Sequence, residues 1–326
     1  MRILTNHPGQ KESPTWASVT THLQPKEGGS LTALGNAIRL YLKAIRGQYD
    51  CIVLGAGTSD GIFALLKVIL PLNIPPLIQI DCLWHTPKGR IGCALRITYM
   101  KIYGRAIDSY IVWARREIDA YSREFGLPRE KFHFIPYHNT MHGFDDVPHD
   151  GGYIFSGGNY DRDYRTLLEA VDGIEVPVRI GCTRLEQFNG LQIPPNVDIR
   201  GYSHTEYLKV MGGCKINIVP MKGGLLHSGG QQTFINSMTM GKPTIVTDPD
   251  GGRDYIENGV DGYLVPPADP RAMREKIIFL LKHPEIAREI GLKAKEKGAS
   301  LTTEKHFQSI VRFIENRKLT SPEKDG

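Results

Sequence analysis

Short apolar runs alternate with longer stretches of helical periodicity along the whole chain. Strands are predicted over 2–5, 51–54, 77–80, 109–112 and 132–135, and again over 153–156, 178–181, 197–200, 215–219, 244–247 and 262–265. Helices are predicted between them over 30–45, 90–104, 115–125, 164–171, 232–240, 271–282 and 285–297. Strands that alternate with helices read as a parallel sheet covered on both faces, an α/β class. The two series are separated by MHGFDDVPHDGG (141–152), which is polar, rich in Gly, Pro and Asp, and without apolar period. A linker there divides the chain into two doubly wound domains, 1–148 and 149–326, with a C-terminal helix able to pack back on the first. Ligands of such domains sit beyond the carboxyl ends of the strands, here in a cleft where the two halves face each other.

Length agrees with two domains, since 326 residues exceed one domain of ordinary size. A net charge of +5 suits anionic small molecules or an anionic membrane surface and is too weak to argue for nucleic acid. Five cysteines at scattered spacing read as reduced thiols in a reducing compartment. No run is long and apolar enough to span a bilayer, and MRILT lacks the apolar stretch of a signal peptide. The expected location is the cytoplasm, with peripheral contact at the inner membrane face as an option. The stretch from Thr5 to Gly28 is long and polar and reads as a mobile loop, and the tail 321–326 as frayed.

The most informative segment is HSGGQQTFIN (227–236). It follows a strand and Lys222-Gly223-Gly224, and it opens a helix that GKP (241–243) ends. Two glycines at a helix start expose backbone N–H groups where the helix dipole favours negative charge. His227, Ser228, Gly229, Gly230, Gln231 and Thr233 are thus candidates for a diphosphate, the bland alternative being a tight glycine turn. The downstream TDPDGGRDYIENG reads on physics alone as a surface loop whose acids cap the next helix.

GKPTIVTDPDGGRDYIENGVDGYLVPPADP (241–270) resembles the donor-domain signature of glycosyltransferase family 4, with one extra residue around Pro249 and Asp250. The likeness extends at lower strength over 109–281. It implies the GT-B fold and transfer of a sugar from a nucleotide-sugar to an acceptor hydroxyl, with retention. No His, Cys or Asp cluster has metal-ligand spacing in the sequence, so no metal or other cofactor is expected. The family's paired Glu residues correspond to Ser228 and Asn236, so both carboxylates are absent and Asn236 inherits the ribose position. His227, Gly229 and Thr233 are instead similar to the sugar-nucleotide box of plant-type glycosyltransferases. The resemblance also places Gly157, Gly158 and Arg162 at the donor diphosphate, and Gly201 and Tyr202 at the base. Gly28 and Gly29 occupy its donor-side glycine turn, and His85 its strand-end histidine, either a structural residue or a base. Arg184 is a weaker cleft candidate.

Lys88, Arg90, Arg96, Lys101 and Arg105 decorate the helix after that strand. Arg90, Lys101 and Arg105 project within about 60° of one another. This is either a solvated basic face or a surface for an anionic membrane beside a lipid-linked acceptor. Glycan, lipid-linked and small-molecule acceptors all remain open. The rival reading is a catalytically degenerate GT-B protein that binds a sugar nucleotide or a partner without turnover.

Overall fold

A computed structural model describes residues 1–320 except Gln10, Ala56, Pro71, 86–88 and 249–250. The expectations for Lys88, for Pro249 and Asp250, and for the 321–326 tail therefore fall outside the described residues. The chain divides into two compact units, one of Met1–Pro136 with the helix that starts at Thr303, the other Tyr137–Thr302. The 141–152 stretch lies inside the second unit, where His149 and Gly151 donate from their backbone N–H groups to the carbonyls of Gly212 and Gly213.

The first unit contains β1 (Ile3–Thr5), α1 (Pro14–Val19), β2 (Thr20–His22), α2 (Ser30–Arg46), β3 (Cys51–Leu54) and α3 (Thr58–Ile69). It continues with β4 (Leu77–Gln79), α4 (Arg90–Ala106), β5 (Ser109–Val112), α5 (Arg115–Phe125) and β6 (Phe132–Phe134). The last helix, α11 (Thr303–Thr320), follows the second unit in the chain. Its sheet is parallel throughout, in the order β2-β1-β3-β4-β5-β6. Strands β1, β3, β4 and β5 are buried on both faces, which is why they read as short apolar runs.

The expected loop between Thr5 and Gly28 is instead ordered as α1 and β2. Ser13 caps α1 by accepting from the N–H of Trp16, and the Trp16 ring is wholly buried and stacked on Phe307 of α11 at 4.8 Å. One large aromatic anchors a segment whose polar composition hides it. Helices α3 and α11, also absent from the predicted set, cover the two faces of this sheet.

The second unit contains β7 (Tyr153–Gly157), α6 (Tyr164–Val171), β8 (Val178–Gly181), β9 (Val197–Arg200), α7 (His204–Gly212) and β10 (Cys214–Val219). After these come α8 (Gln231–Thr239), β11 (Thr244–Thr247), β12 (Tyr263–Val265), α9 (Pro270–Lys282) and α10 (Pro284–Gly298). The sheet order is β12-β11-β10-β7-β8-β9, again all parallel. Ile154, Ile180, Ile216, Ile218 and Ile245 pack under α6 and α9, while Tyr153, Phe155 and Leu208 fill the opposite face under α7. All five cysteines are free thiols, four of them buried.

Candidate functional site

In the second unit the chain runs from β7 outward through β8 and β9, then returns to the other side of β7 for β10, β11 and β12. The loops after β7 and β10 leave the sheet in opposite directions, and the gap they open is where an α/β sheet binds ligands. The sequence candidates Gly157, Gly158, Arg162, His227, Ser228, Gly229, Gly230, Gln231 and Thr233 all sit at the end of β7, on those two loops or at the start of α8. An isolated bridge between Arg162 and Met221 ties the loops together.

Arg162 is buried rather than displayed. Its Nε donates to the Gly157 carbonyl at 2.9 Å, Nη1 to the Tyr160 carbonyl at 3.1 Å, and Nη2 to Oγ1 of Thr233 at 3.1 Å. The guanidinium therefore joins the β7 loop to α8. Gly158 has φ +136°, and a Cβ there would meet that guanidinium at 2.6 Å, so glycine is required on both counts. Gly157 and Gly181 leave room for the Tyr207 ring, whose hydroxyl lies 3.4 Å from Thr233 Oγ1. Burial raises the Tyr207 pKa, which keeps it a neutral phenol.

His227 is buried, with Nε2 3.3 Å from Oδ2 of Asp161, a residue held at φ +56°. Ser228 accepts from Nε2 of Gln231 at 2.5 Å. Gly230, at φ +84°, is the residue before α8 and leaves its N-terminus without a side-chain cap. Of the other helices in this unit, α6 is capped by Asp163, α7 by Ser203 with Glu206, and α9 by Asp269, while α10 has no side-chain cap. The first-turn N–H groups of α8 are the donors that a diphosphate would satisfy. Met221, His227, Ser228 and Gly229 line a pocket of about 10 Å³ with Thr247, Gly251 and Gly252, about the room of one water molecule.

Asn236, the ribose candidate, lies in the first turns of α8. Its side chain is buried, its Oδ1 accepts from the N–H of Thr140 at 2.8 Å, and its Nδ2 donates to Thr140 Oγ1 at 3.0 Å. Both amide groups are engaged by the chain itself. Gly201 and Tyr202 follow β9, Gly201 against the Thr183 side chain and Tyr202 against the cluster under α7. Arg184 lies over the Tyr160 ring at 4.8 Å and pairs with Glu186 at 2.9 Å.

The sequence reading missed three groups. Lys222, which in sequence only leads into the glycine-rich segment, is an exposed cation on the β10 loop. Asp248, at the end of β11, has a side chain only 6% exposed and holds Arg253 at 2.6 Å. Tyr207 sits on a helix that the apolar periodicity did not reveal.

The first unit carries the remaining candidates. Its chain reverses between β1 and β3, and a polar cluster gathers at the ends of β1, β3 and β4. There Asn6 donates to Asp60, and His7 Nε2 lies 3.0 Å from Oδ2 of Asp81, itself at φ +59°. Burial raises the Asp60 pKa despite its bonds from Gly57 and Asn6. None of these residues was singled out from sequence, because the cluster draws on segments far apart in the chain. His85 follows as an exposed residue, and Gly28 (φ +152°) and Gly29 precede α2, which has no side-chain cap either.

Residues 164–283 match the family Glycosyl transferases group 1. A D-rhamnosyltransferase, WbpZ of Pseudomonas aeruginosa, is 38% identical over 161 residues, 46% of this chain and 41% of that protein. A trehalose synthase of Pyrococcus horikoshii is 39% identical over 72 residues, 22% of this chain and 17% of that protein. The matched chain thus spans less than half the length of either. Among solved structures, Anabaena HepE in complex with UDP-glucose superposes with a TM-score of 0.74 at 14% identity, covering 97% of this chain and all of that one. Sucrose-phosphate synthase from Thermosynechococcus elongatus gives 0.65 at 16% identity, over 93% of this chain and 84% of that one. No described helix is long and apolar enough to cross a membrane. The second unit thus matches the glycosyl transferases group 1 family over residues 164–283, in a chain whose two-domain α/β fold is that of GT-B structures.

Proposed function

We propose that the chain transfers a sugar from a nucleotide-sugar donor to an acceptor hydroxyl, with the donor diphosphate at the start of α8. The observation that carries this reading is the uncapped N-terminus of α8, flanked by His227, Ser228 and two glycines inside the matched segment. The diphosphate lies over the small pocket that Met221, His227, Ser228 and Gly229 line. There Gly229, Gly230 and exposed Lys222 meet it, while Arg162 and Thr233 hold the loops in register. These groups neutralise charge that grows on the leaving diphosphate as the glycosidic bond breaks. Basic groups and the helix dipole here take the part of a cation, as a metal-independent transfer requires. Gly201 and Tyr202 take the base side of the nucleotide. The first unit takes the acceptor, whether glycan, lipid-linked or small molecule, with His85 and the His7–Asp81 pair as its polar groups. Retention of configuration is the outcome that the family 4 resemblance supports, and the cytoplasm is the location it fits.

A thermal-shift screen against UDP, GDP, ADP, CDP and dTDP, with and without magnesium, tests the donor site. HepE, whose structure holds UDP-glucose, makes UDP the first ligand to try. A ligand at about 100 times its dissociation constant adds roughly 2.7 kcal/mol. A selective shift that survives EDTA, followed by turnover and NMR of the product anomer, supports the reading. No shift with any nucleotide removes it.

The second reading, binding without turnover, is favoured by one observation. Carboxylates are missing at Ser228 and Asn236, and the amide that replaces one of them is bound to Thr140. A nucleotide shift with neither hydrolysis nor transfer across a panel of acceptors selects it.

A further inference from the structure

Helix α2 presents five large apolar side chains to solvent. Leu31, Leu34, Ile38, Leu42 and Ile45 are 40% to 86% exposed, and they project within about 80° of one another on the helix. They are not the core face. Ala37, Leu40, Tyr41 and Ala44 are buried to one side of the stripe, and Arg39, Lys43 and Arg46 form an exposed basic band on its other side. Helix α4 repeats the arrangement. Ile91, Leu95 and Ile102 are exposed within about 40°, between the buried face and the band of Arg90, Lys101 and Arg105. The two helices carry no Asp or Glu. They also lie on the same side of the sheet with α3 packed between them, because β2, β3, β4 and β5 advance in one direction by right-handed crossovers.

We propose that this α2–α4 face docks on an anionic lipid bilayer. An exposed apolar stripe bordered by cations is the arrangement that seats a helix at a headgroup boundary, with the aliphatic side chains below and the ammonium and guanidinium groups among phosphates. A second copy of the chain is the poorer occupant. A two-fold contact through this face would set basic bands against each other with no carboxylate on either helix to relieve them. The proposal stands on the first unit alone and does not depend on donor chemistry in the second.

The test is cosedimentation of the full chain with vesicles of phosphatidylcholine alone and of phosphatidylcholine with phosphatidylglycerol. Wild-type chain is expected on the anionic vesicles, with partitioning weakened as salt rises from about 0.1 M to about 1 M. The variant Leu34→Gln/Ile38→Gln/Leu42→Gln is expected to partition roughly a hundredfold less. Arg39→Gln and Lys43→Gln should each lower partitioning about fivefold, on anionic vesicles only. Circular dichroism and the nucleotide thermal shift serve as fold controls, because none of these side chains belongs to the donor site. Wild-type chain that ignores anionic vesicles, or an apolar triple variant that binds them equally, overturns the proposal. So does a dimer seen by ultracentrifugation that the triple variant abolishes while vesicles go unbound, which would give the face to a second copy.

Discussion

Gly230→Ala is the sharpest test of how the α8 loop is built. At φ +84° an L side chain costs roughly 1–2 kcal/mol. The new methyl group would also meet Val219 Cγ1 at 2.8 Å and Met221 Sδ at 3.1 Å. The valine belongs to β10 and cannot retreat, so crowding adds roughly 1–3 kcal/mol. The sum is about 2–5 kcal/mol. Two controls separate the contributions. Gly190→Ala has a similar φ of +75° with nothing within 4 Å, so only the backbone cost, about 1 kcal/mol, should appear. Gly229→Ala meets only the terminal Cε of Met221, at 2.6 Å, and a methionine can swing aside for under about 1 kcal/mol. Tryptophan emission does not report on this region, because Trp16, Trp84 and Trp113 all lie in the first unit. Hydrogen exchange of the most protected amides in β10 and α8 does, and each 1.4 kcal/mol speeds it about tenfold. The expected order of destabilisation is Gly230→Ala, then Gly190→Ala, then Gly229→Ala. Exchange no faster in Gly230→Ala than in Gly190→Ala would refute the packing argument.

Other perturbations probe the same logic. Arg162→Ala leaves the Gly157 and Tyr160 carbonyls and Thr233 without their donor, so it should cost about 3–5 kcal/mol of stability in urea unfolding followed by far-ultraviolet circular dichroism, and weaken UDP binding by calorimetry as well. Lys222→Ala should do the reverse, lowering UDP affinity by about 1–3 kcal/mol while the unfolding curve stays unchanged. Asp60 has its pKa raised by burial, so its ionised form opposes folding at neutral pH and that penalty lifts as pH falls toward the ordinary value of 3.8. Wild type should therefore gain on Asp60→Asn between neutral pH and about pH 4 when unfolding is followed by tryptophan emission. A constant difference between the two would place the burial cost elsewhere.

The alternation of short apolar runs with helical stretches was enough to locate eleven of the strands, since a parallel strand buried on both faces advertises itself locally. The glycine-rich start of α8 was equally legible, because an uncapped helix N-terminus is a property of adjacent residues. Segments whose stability comes from distant partners were not. β2 is three half-buried residues, Thr20–His22, and the helix that leads into it is anchored by Trp16 stacked on Phe307, nearly three hundred residues away in the chain. Arg162 reads in sequence as a cation at a helix start, and only packing against Thr233 turns it into an internal clamp. Nothing in the local sequence around Asn236 announces the contact that the fold makes between its amide and Thr140. The apolar period of α2 is the same whether its leucines enter a core or face water. Periodicity fixes which side chains share a face, but what covers that face is decided by the tertiary structure, because burial is a relation between segments that local sequence does not encode.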